Sequence, residues 1–345
     1  MRRSLVILIL AACGGGGGNA DDDGGGPVVD GAPPPPMCSD GGAGGADATT
    51  PGQFTLPNPT LRNVTIEWAI EGDDDLDGTV TVRYRVAGTE TWRQGTPLVR
   101  VPAGTVEGFS WGNRHSGSLF DLEPDTAYEI ELYLSDPDGG CALEVMNTHT
   151  RPVPAPMTGA PVIDVDPAGF AAAAAAAQPG EILELADGTY PGFTFDNDGD
   201  AGRPIVIRGG AGAVIDGEIS LIGRSWVYLI GITINGRVRL NDTTNVAVMG
   251  TTVNTDGDGI VAGLRSEDDY IADNTVTGVT VWAESSLGVD GDNIGEGILV
   301  TGPGHVIEHN RVRGFRDAIS LLEDSEAVDQ WSIDIVENDI EVAGD

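Results

Sequence analysis

The sequence predicts an all-β protein in two parts, an antiparallel sandwich followed by a solenoid of stacked parallel strands. Three observations predict it. Between residues 58 and 152, Val64, Ile66, Trp68 and Ile70 alternate with their neighbours, as do Val80, Val82, Tyr84 and Val86, and then Tyr128, Ile130, Leu132 and Leu134; this is the period of half-buried strands. From Trp226 onward one short pattern recurs five times: apolar, any residue, apolar, then two or three residues, often Asn, any residue, and Val or Ile. Its anchors are Ile234, Val253, Val276, Val312 and Ile340, at steps of roughly 20 to 40 residues, as in stacked solenoid coils. Between the two parts, Pro152, Pro154, Pro156 and Pro161 stand too close together for a helix or a central strand.

Within each copy the period is two, as in Val227 and Leu229, Val246 and Val248, or Ile333 and Ile335, which selects strands over helical repeats. Two copies open polar, at Asp269 and His305. Two positions before three of the anchors stand Asn274, Asn310 and Asn338, a column whose amides can bridge coils roughly 4.8 Å apart. The pattern resembles the right-handed parallel β-helix of pectin- and alginate-degrading lyases and of many bacterial surface proteins. That resemblance implies a β-helix over 160–345. Its opening coil is similar to that of the alginate- and chondroitin-lyase-like β-helices, carried by Pro179-Gly180-Glu181-Ile182-Leu183-Glu184-Leu185-Ala186-Asp187-Gly188-Thr189-Tyr190 and Pro204-Ile205-Val206-Ile207-Arg208.

Five residues after the anchors comes a second column, Asp258, Asp317 and Asp345. The copy anchored at Val276 is displaced by an insertion and supplies Glu296, in Glu296-Gly297-Ile298. Acids stacked at coil spacing repel by about 1 kcal/mol per pair in water, so they call for protons, a cation or an Arg. Arg239, at that position in the first copy, is the expected partner of Asp258; the other acids have none encoded in the repeat. Asp258, Glu296 and Asp317 are therefore the candidate catalytic residues, against the plainer reading of an acidic, solvated turn.

The chain begins with Met1-Arg2-Arg3 and a short apolar run from Ser4 to Leu10, an export signal too short to span a bilayer. Leu10-Ala11-Ala12-Cys13 resembles the bacterial lipobox, which implies removal of 1–12, lipidation of Cys13 and, with Gly14 following, an outer-membrane or cell-surface address. Residues 13–57, with Gly runs, Asp21-Asp22-Asp23 and Pro33 to Pro36, read as a flexible acidic tether. Cys38 in the tether and Cys141 beyond it leave a disulfide open in an exported chain.

Residues 58–152 then resemble a type III fibronectin domain, on Leu122-Glu123-Pro124-Asp125-Thr126-Ala127-Tyr128, which matches its tyrosine corner, and on Trp68 in an early strand. The resemblance implies a spacer or binding module. Asp73, Asp75, Asp77 and Gly78 imitate a calcium loop, but Tyr84 stands where a closing Glu belongs, so a solvated turn is the expectation. Asp166 and Pro167 open a helix over Ala171 to Ala177, ended by Pro179-Gly180, which covers the first coil of the solenoid.

The longest anchor step carries an insertion between Val279 and Gly295, and insertions in solenoids form lateral loops. It holds Trp282 and Glu284, the means to hold a sugar ring, and Asp290 and Asp292, the candidate calcium ligands. Arg311 and Arg313 complete the candidate substrate contacts. Two enzyme templates apply. The β-helix lyases use Lys and Arg with calcium, and this chain contains no Lys; Arg311, Arg313 or Arg316 would have to supply an Arg base. The polygalacturonase type is echoed by Asn254-Thr255-Asp256, Asp290-x-Asp292 and Gly304-His305, with the paired Asp interrupted and Val306 after the His.

With 54 acidic against 18 basic residues and a net charge of −36, the chain repels nucleic acid and anionic membranes. The expectation is a lipid-anchored surface protein whose β-helix binds extracellular polysaccharide; whether it also cleaves it, as a lyase or glycoside hydrolase, and whether it uses calcium, the residues leave open. The alternative is a noncatalytic adhesin or scaffold. Because Asp345 falls inside a repeat, with no capping helix or polar last coil after it, further coils or a covering chain are also expected.

Overall fold

The computed structural model describes residues 31, 34–36, 38, 45–106, 109–279, 295–321 and 330–341. Cys13, Trp282, Glu284, Asp290, Asp292 and Asp345 lie outside the described residues.

The first part is a sandwich of two four-stranded antiparallel sheets. One runs Thr50–Thr55, Val64–Glu71, Arg114–Leu119, Val99–Val101; the other runs Cys141–His149, Ala127–Ser135, Thr79–Val86, Arg93–Gln94. The alternating residues close on each other, so that Val64, Ile66, Trp68, Val80, Val82, Ile130, Leu132 and Leu134 form one buried core. Tyr128 does what the corner motif expects, its hydroxyl oxygen accepting the Glu123 N–H at 2.8 Å. One boundary differs from the sequence reading. The first strand begins at Thr50, inside the supposed tether, because it pairs with Val64–Glu71 along that sheet edge. Cys38 is bonded to Cys141, which ties the upstream segment to the strand Cys141–His149.

The second part is a right-handed parallel β-helix with three faces, here A, B and C. Face A stacks eight strands in order: Val162–Val165, Ile182–Leu185, Ile205–Gly209, Val227–Ile230, Ala247–Met249, Tyr270–Ala272, Val306–Glu308 and Asp334–Val336. Gly188–Thr194 and Ala213–Ser220 are long strands that pair along a corner; beyond them the coils divide. Face B continues through Thr233–Asn235, Thr252–Asn254, Thr275–Thr277, Arg311–Arg313 and Asp339–Glu341, and face C through Val238–Arg239, Ile260–Ala262, Glu296–Val300 and Asp317–Leu321. The repeat anchors are register partners, Ile215 to Ile234 to Val253 to Val276 to Val312 to Ile340. All but Ile340 are in the buried core; each buried Ile or Val contributes roughly 1.5 to 3 kcal/mol.

The Asn column is an internal ladder. Asn274 Nδ2 donates to Asn310 Oδ1 at 2.9 Å and Asn310 Nδ2 to Asn338 Oδ1 at 3.0 Å, and each amide also donates to a strand carbonyl, Val248 and Ile271 respectively. The helix before the coils runs Phe170–Ala176 with Gly169 at its N-cap and no side-chain cap. Asp166 instead closes the preceding turn, its Oδ1 accepting the Gly169 N–H at 2.7 Å. Phe170 packs edge-on against Tyr190 and Phe193, which closes the first end of the core.

The outward side of face A is covered. Leu61 of the sandwich joins Ile182, Val206, Tyr228, Ala247, Tyr270 and Val306 in a second apolar cluster. Around it Asn58 donates to Glu267 at 2.9 Å, Asn63 to Asp334 at 2.6 Å and Ser332 to the Pro57 carbonyl at 2.7 Å. Arg151 reaches across to the Asp268 carbonyl at 2.6 Å and to the Gly304 carbonyl. Sandwich and solenoid are thus joined along face A, which leaves faces B and C as the open sides.

Candidate active site at the corner between faces B and C

Faces B and C meet at a turn whose inward position is taken by Gly259, Gly297 and Ala318 in successive coils. A Cβ on Gly259 would lie 2.3 Å from the Gly297 carbonyl oxygen, and one on Gly297 would lie 2.3 Å from Val312 Cγ1 and 2.5 Å from the Ala318 carbonyl oxygen. The small residues let the chain turn against the next coil, and the residue before each is carried outward. Those residues are Asp258, Glu296 and Asp317. The structure therefore brings the three candidate acids together on consecutive coils: Glu296 and Asp317 are register partners, and the Glu296 N–H donates to Asp258 Oδ1 at 3.3 Å.

Their partners are not those expected. Arg239 pairs in register with Ser220 and Val261, one row further along face C. Arg237, two residues earlier, reaches Asp258 at 3.3 Å and Glu218 at 2.7 Å. Glu296 and Asp317 also have a partner, Arg316, at 2.8 and 3.0 Å. The corner is a ladder of two acid–Arg–acid groups, Glu218–Arg237–Asp258 and Glu296–Arg316–Asp317, with Asp258 and Glu296 adjacent. Hydrogen bonds to Glu218 and to Asp317 are the main reasons that Arg237 and Arg316 hold their protons more tightly than a free guanidinium. Most members are about one-third exposed, whereas Glu296 is only 6 % exposed, and its Oε2 is buried with no hydrogen-bond partner among the described residues. Next to the ladder, Arg239, Val261 and Leu299 form a half-buried row.

Glu218 and Arg237 escaped the sequence reading because they sit before the column, at a position that is Gly259 and Gly297 in later coils. The available signal was their spacing, since Arg237 lies 19 residues after Glu218 and 21 before Asp258, about one coil each way.

On face B, Arg311 is held by Asp339 at 3.7 Å and Glu341 at 2.5 Å on the next coil. Arg313 is exposed and has no ionic partner among the described residues. The rest of this outward surface is Thr233, Thr252 and Thr275 in one row and Asn235, Asn254 and Thr277 in the other.

Among the described residues the polygalacturonase-type elements do not assemble. Asn254, Thr255 and Asp256 lie at the B–C corner, but His305 is wholly buried under face A, because it continues the inward column of Val246 and Asp269. His305 Nδ1 accepts the Asp269 N–H at 3.3 Å, and the Asp269 carboxylate accepts the Val246 N–H at 2.9 Å and the Thr243 hydroxyl at 2.6 Å. Burial pushes His305 down to about 4 and Asp269 up to about 7. Both polar openings of the repeat are thus interior hydrogen-bonding residues.

The Asp73 loop also differs from a simple solvated turn. Asp73 is fully buried, accepting the Gly78 N–H at 3.0 Å and pairing with Arg100. Asp73, Asp77 and Asp136, and again Asp75, Asp77 and Asp138, bring carboxylate oxygens within 4.8 Å of one another. Among the described residues these are the groupings able to hold a divalent cation, and they come from the sandwich; the acids of the corner do not converge in this way. Desolvation, then the neighbouring carboxylates, raise the pKa of Asp77 and of Asp138.

No family model matches the chain, and no curated protein matches its sequence. Among solved structures it is similar to a family 28 exopolygalacturonase of Yersinia enterocolitica, at 10% identity over 84% of this chain and 86% of that one, with a TM-score of 0.24. A myokine structure is similar at 16% identity over 30% of this chain and 98% of its own, TM-score 0.23. The purple acid phosphatase PPD1 of yellow lupin is similar at 14% over 42% and 29%, TM-score 0.24. Scores this low carry no argument about activity; the fold rests on the strand pairing above.

Proposed function

We propose that this protein is exported, anchored in the outer membrane or at the cell surface through a lipid on Cys13, and engages extracellular polysaccharide along its B–C corner. The observation that carries this reading is the corner ladder, in which each guanidinium group stands between two carboxylates beside the half-buried Val261 and Leu299. A sugar hydroxyl both donates and accepts, so it meets acid and Arg in turn, while the ring's apolar face lies on the aliphatic row. The Cys38–Cys141 disulfide suits an oxidising, exported setting. The sandwich, fibronectin-like by its Tyr128 corner, acts as a spacer.

Cleavage is a second reading, favoured by one feature. Asp258 and Asp317 stand two coil steps apart, roughly 9.6 Å at strand spacing, near the upper end of the 6.5 to 9.5 Å that inverting hydrolysis uses. For an acidic glycan, calcium completed by the sugar's own carboxylates would have to stand between like charges. A panel of immobilised neutral, uronate and amino polysaccharides, with and without calcium, tests the reading: binding to at least one member that Arg237→Gln with Arg316→Gln changes is expected, and no binding to any member refutes it. Release of reducing ends in the same panel identifies hydrolysis. Membrane association lost in Cys13→Ala is the expected sign of the anchor; unchanged association removes it.

A further inference from the structure

The orphaned oxygen of Glu296 points to the chemical class of the ligand, an inference that rests on the B–C corner being the glycan-contacting edge. A buried carboxylate oxygen without a donor carries an uncompensated desolvation cost, and a ligand that brings a donor to it recovers that cost. Three kinds of donor compete: a hydroxyl, a metal ion and an ammonium group.

Charge separates them first. The corner holds four acids, Glu218, Asp258, Glu296 and Asp317, against two guanidinium groups, Arg237 and Arg316; four less two leaves a net charge of −2 on a protein of net charge −36. That favours a cation over a neutral hydroxyl. Geometry then separates the cations. A calcium ion needs six to eight oxygens at about 2.3 to 2.6 Å, and the corner acids do not gather as those around Asp77 do. An ammonium group has three donors, each reaching about 2.8 Å, so it spans oxygens up to about 5.6 Å apart, enough for one coil step of roughly 4.8 Å. Arg316 already shows that one cation can bridge this column, since its guanidinium binds both Glu296 and Asp317 on neighbouring coils. It reaches Glu296 Oε1 at 2.8 Å from the surface, with a side chain 37% exposed, and leaves Oε2 unengaged. The chain contains no Lys, so no ammonium side chain of its own competes for the position.

We propose that the corner binds glycans carrying free primary amino groups, an ammonium of the sugar bridging Asp258 and the unpartnered oxygen of Glu296. Uronates are repelled by the same corner, and N-acetylated amino sugars lack the charge.

The test is calorimetric titration of the full chain, at physiological salt, with glucosamine oligomers, their N-acetylated counterparts and galacturonate oligomers of equal length. Glucosamine oligomers are expected to bind at least tenfold more tightly than the acetylated ones, and Glu296→Gln to weaken that binding at least tenfold. Asp258→Asn, at a position one-third exposed, should do the same and covers the case in which the Glu296 variant fails to fold. Equal affinity for free and acetylated amines overturns the proposal, as does tight glucosamine binding that neither variant changes, which marks diffuse attraction to net charge. Binding of acetylated or uronate oligomers in place of glucosamine defeats the ammonium inference and leaves the glycan reading standing. Binding of none of the three defeats both.

Discussion

At the scale of single residues, the buried pair Asp269 and His305 titrates in opposite senses. The folded protein holds the Asp269 proton up to about pH 7, above the ordinary value of 3.8, so this group lowers stability as pH rises from 3.8 to 7. His305 stays neutral in the fold down to about pH 4, below its ordinary value of 6.5, so it raises stability as pH rises from 4 to 6.5. Over the shared window the two slopes cancel. Asp269→Asn keeps an acceptor for the Val246 N–H and removes one slope. Urea unfolding of that variant is expected to show stability rising between pH 4 and 6.5 by about one proton's worth, relative to the parent; parallel profiles would show that Asp269 does not titrate in this way.

At the scale of elements, two Asn rows run along the same coils with opposite consequences. Asn310 is fully buried, accepts from the Asn274 N–H and amide, and donates to Ile271 and Asn338. Asn310→Ala leaves several buried donors and acceptors unmatched and is expected to cost about 3 kcal/mol. Asn254, on the outside of face B, makes one contact of this kind, to Asn235 at 3.3 Å, and Asn254→Ala should change stability by less than about 0.5 kcal/mol. Denaturant midpoints of the two variants check this, and equal losses would contradict the placement of the inner ladder. The corner acids belong to this scale as well. Asp258 and Asp317 were legible at a fixed distance from their anchors, and Glu296 from the small residue and Ile that follow it, as they follow the other two. Their Arg partners were not, since Arg237 comes from one side of the turn and Arg316 from the loop after Val312.

At the scale of the whole molecule, Arg151 joins the two parts. It lies just past the last sandwich strand, contacts Asp268 and Gly304 of the solenoid, and sits among Asp268, Asp269, Asp334 and Glu267. Burial works against its charge and those acids support it, so removing it strands Asp268, whose pKa burial already raises. Arg151→Met is expected to cost about 3 kcal/mol and to split thermal unfolding into separate sandwich and solenoid transitions. A single transition with an unchanged midpoint in calorimetry would mean that the guanidinium does not hold the interface.

These scales also mark where sequence ends and tertiary structure begins. In a parallel solenoid the neighbour of a residue is the same position one coil later, so a contact in space is a spacing in sequence. For that reason the anchors, the Asn ladder and the stacking of Asp258, Glu296 and Asp317 follow from the residues alone. The alternating strands of the sandwich follow from their period in the same way. Contacts that obey no period were decided by the folded structure. Cys38 meets Cys141 across 103 residues, Asp136 and Asp138 join the Asp73 loop from another strand pair, and Leu61 and Arg151 close over face A. The interior places of Asp269 and His305 belong with these, because period two says which residues share a face, and only packing against the other faces makes that face the inside.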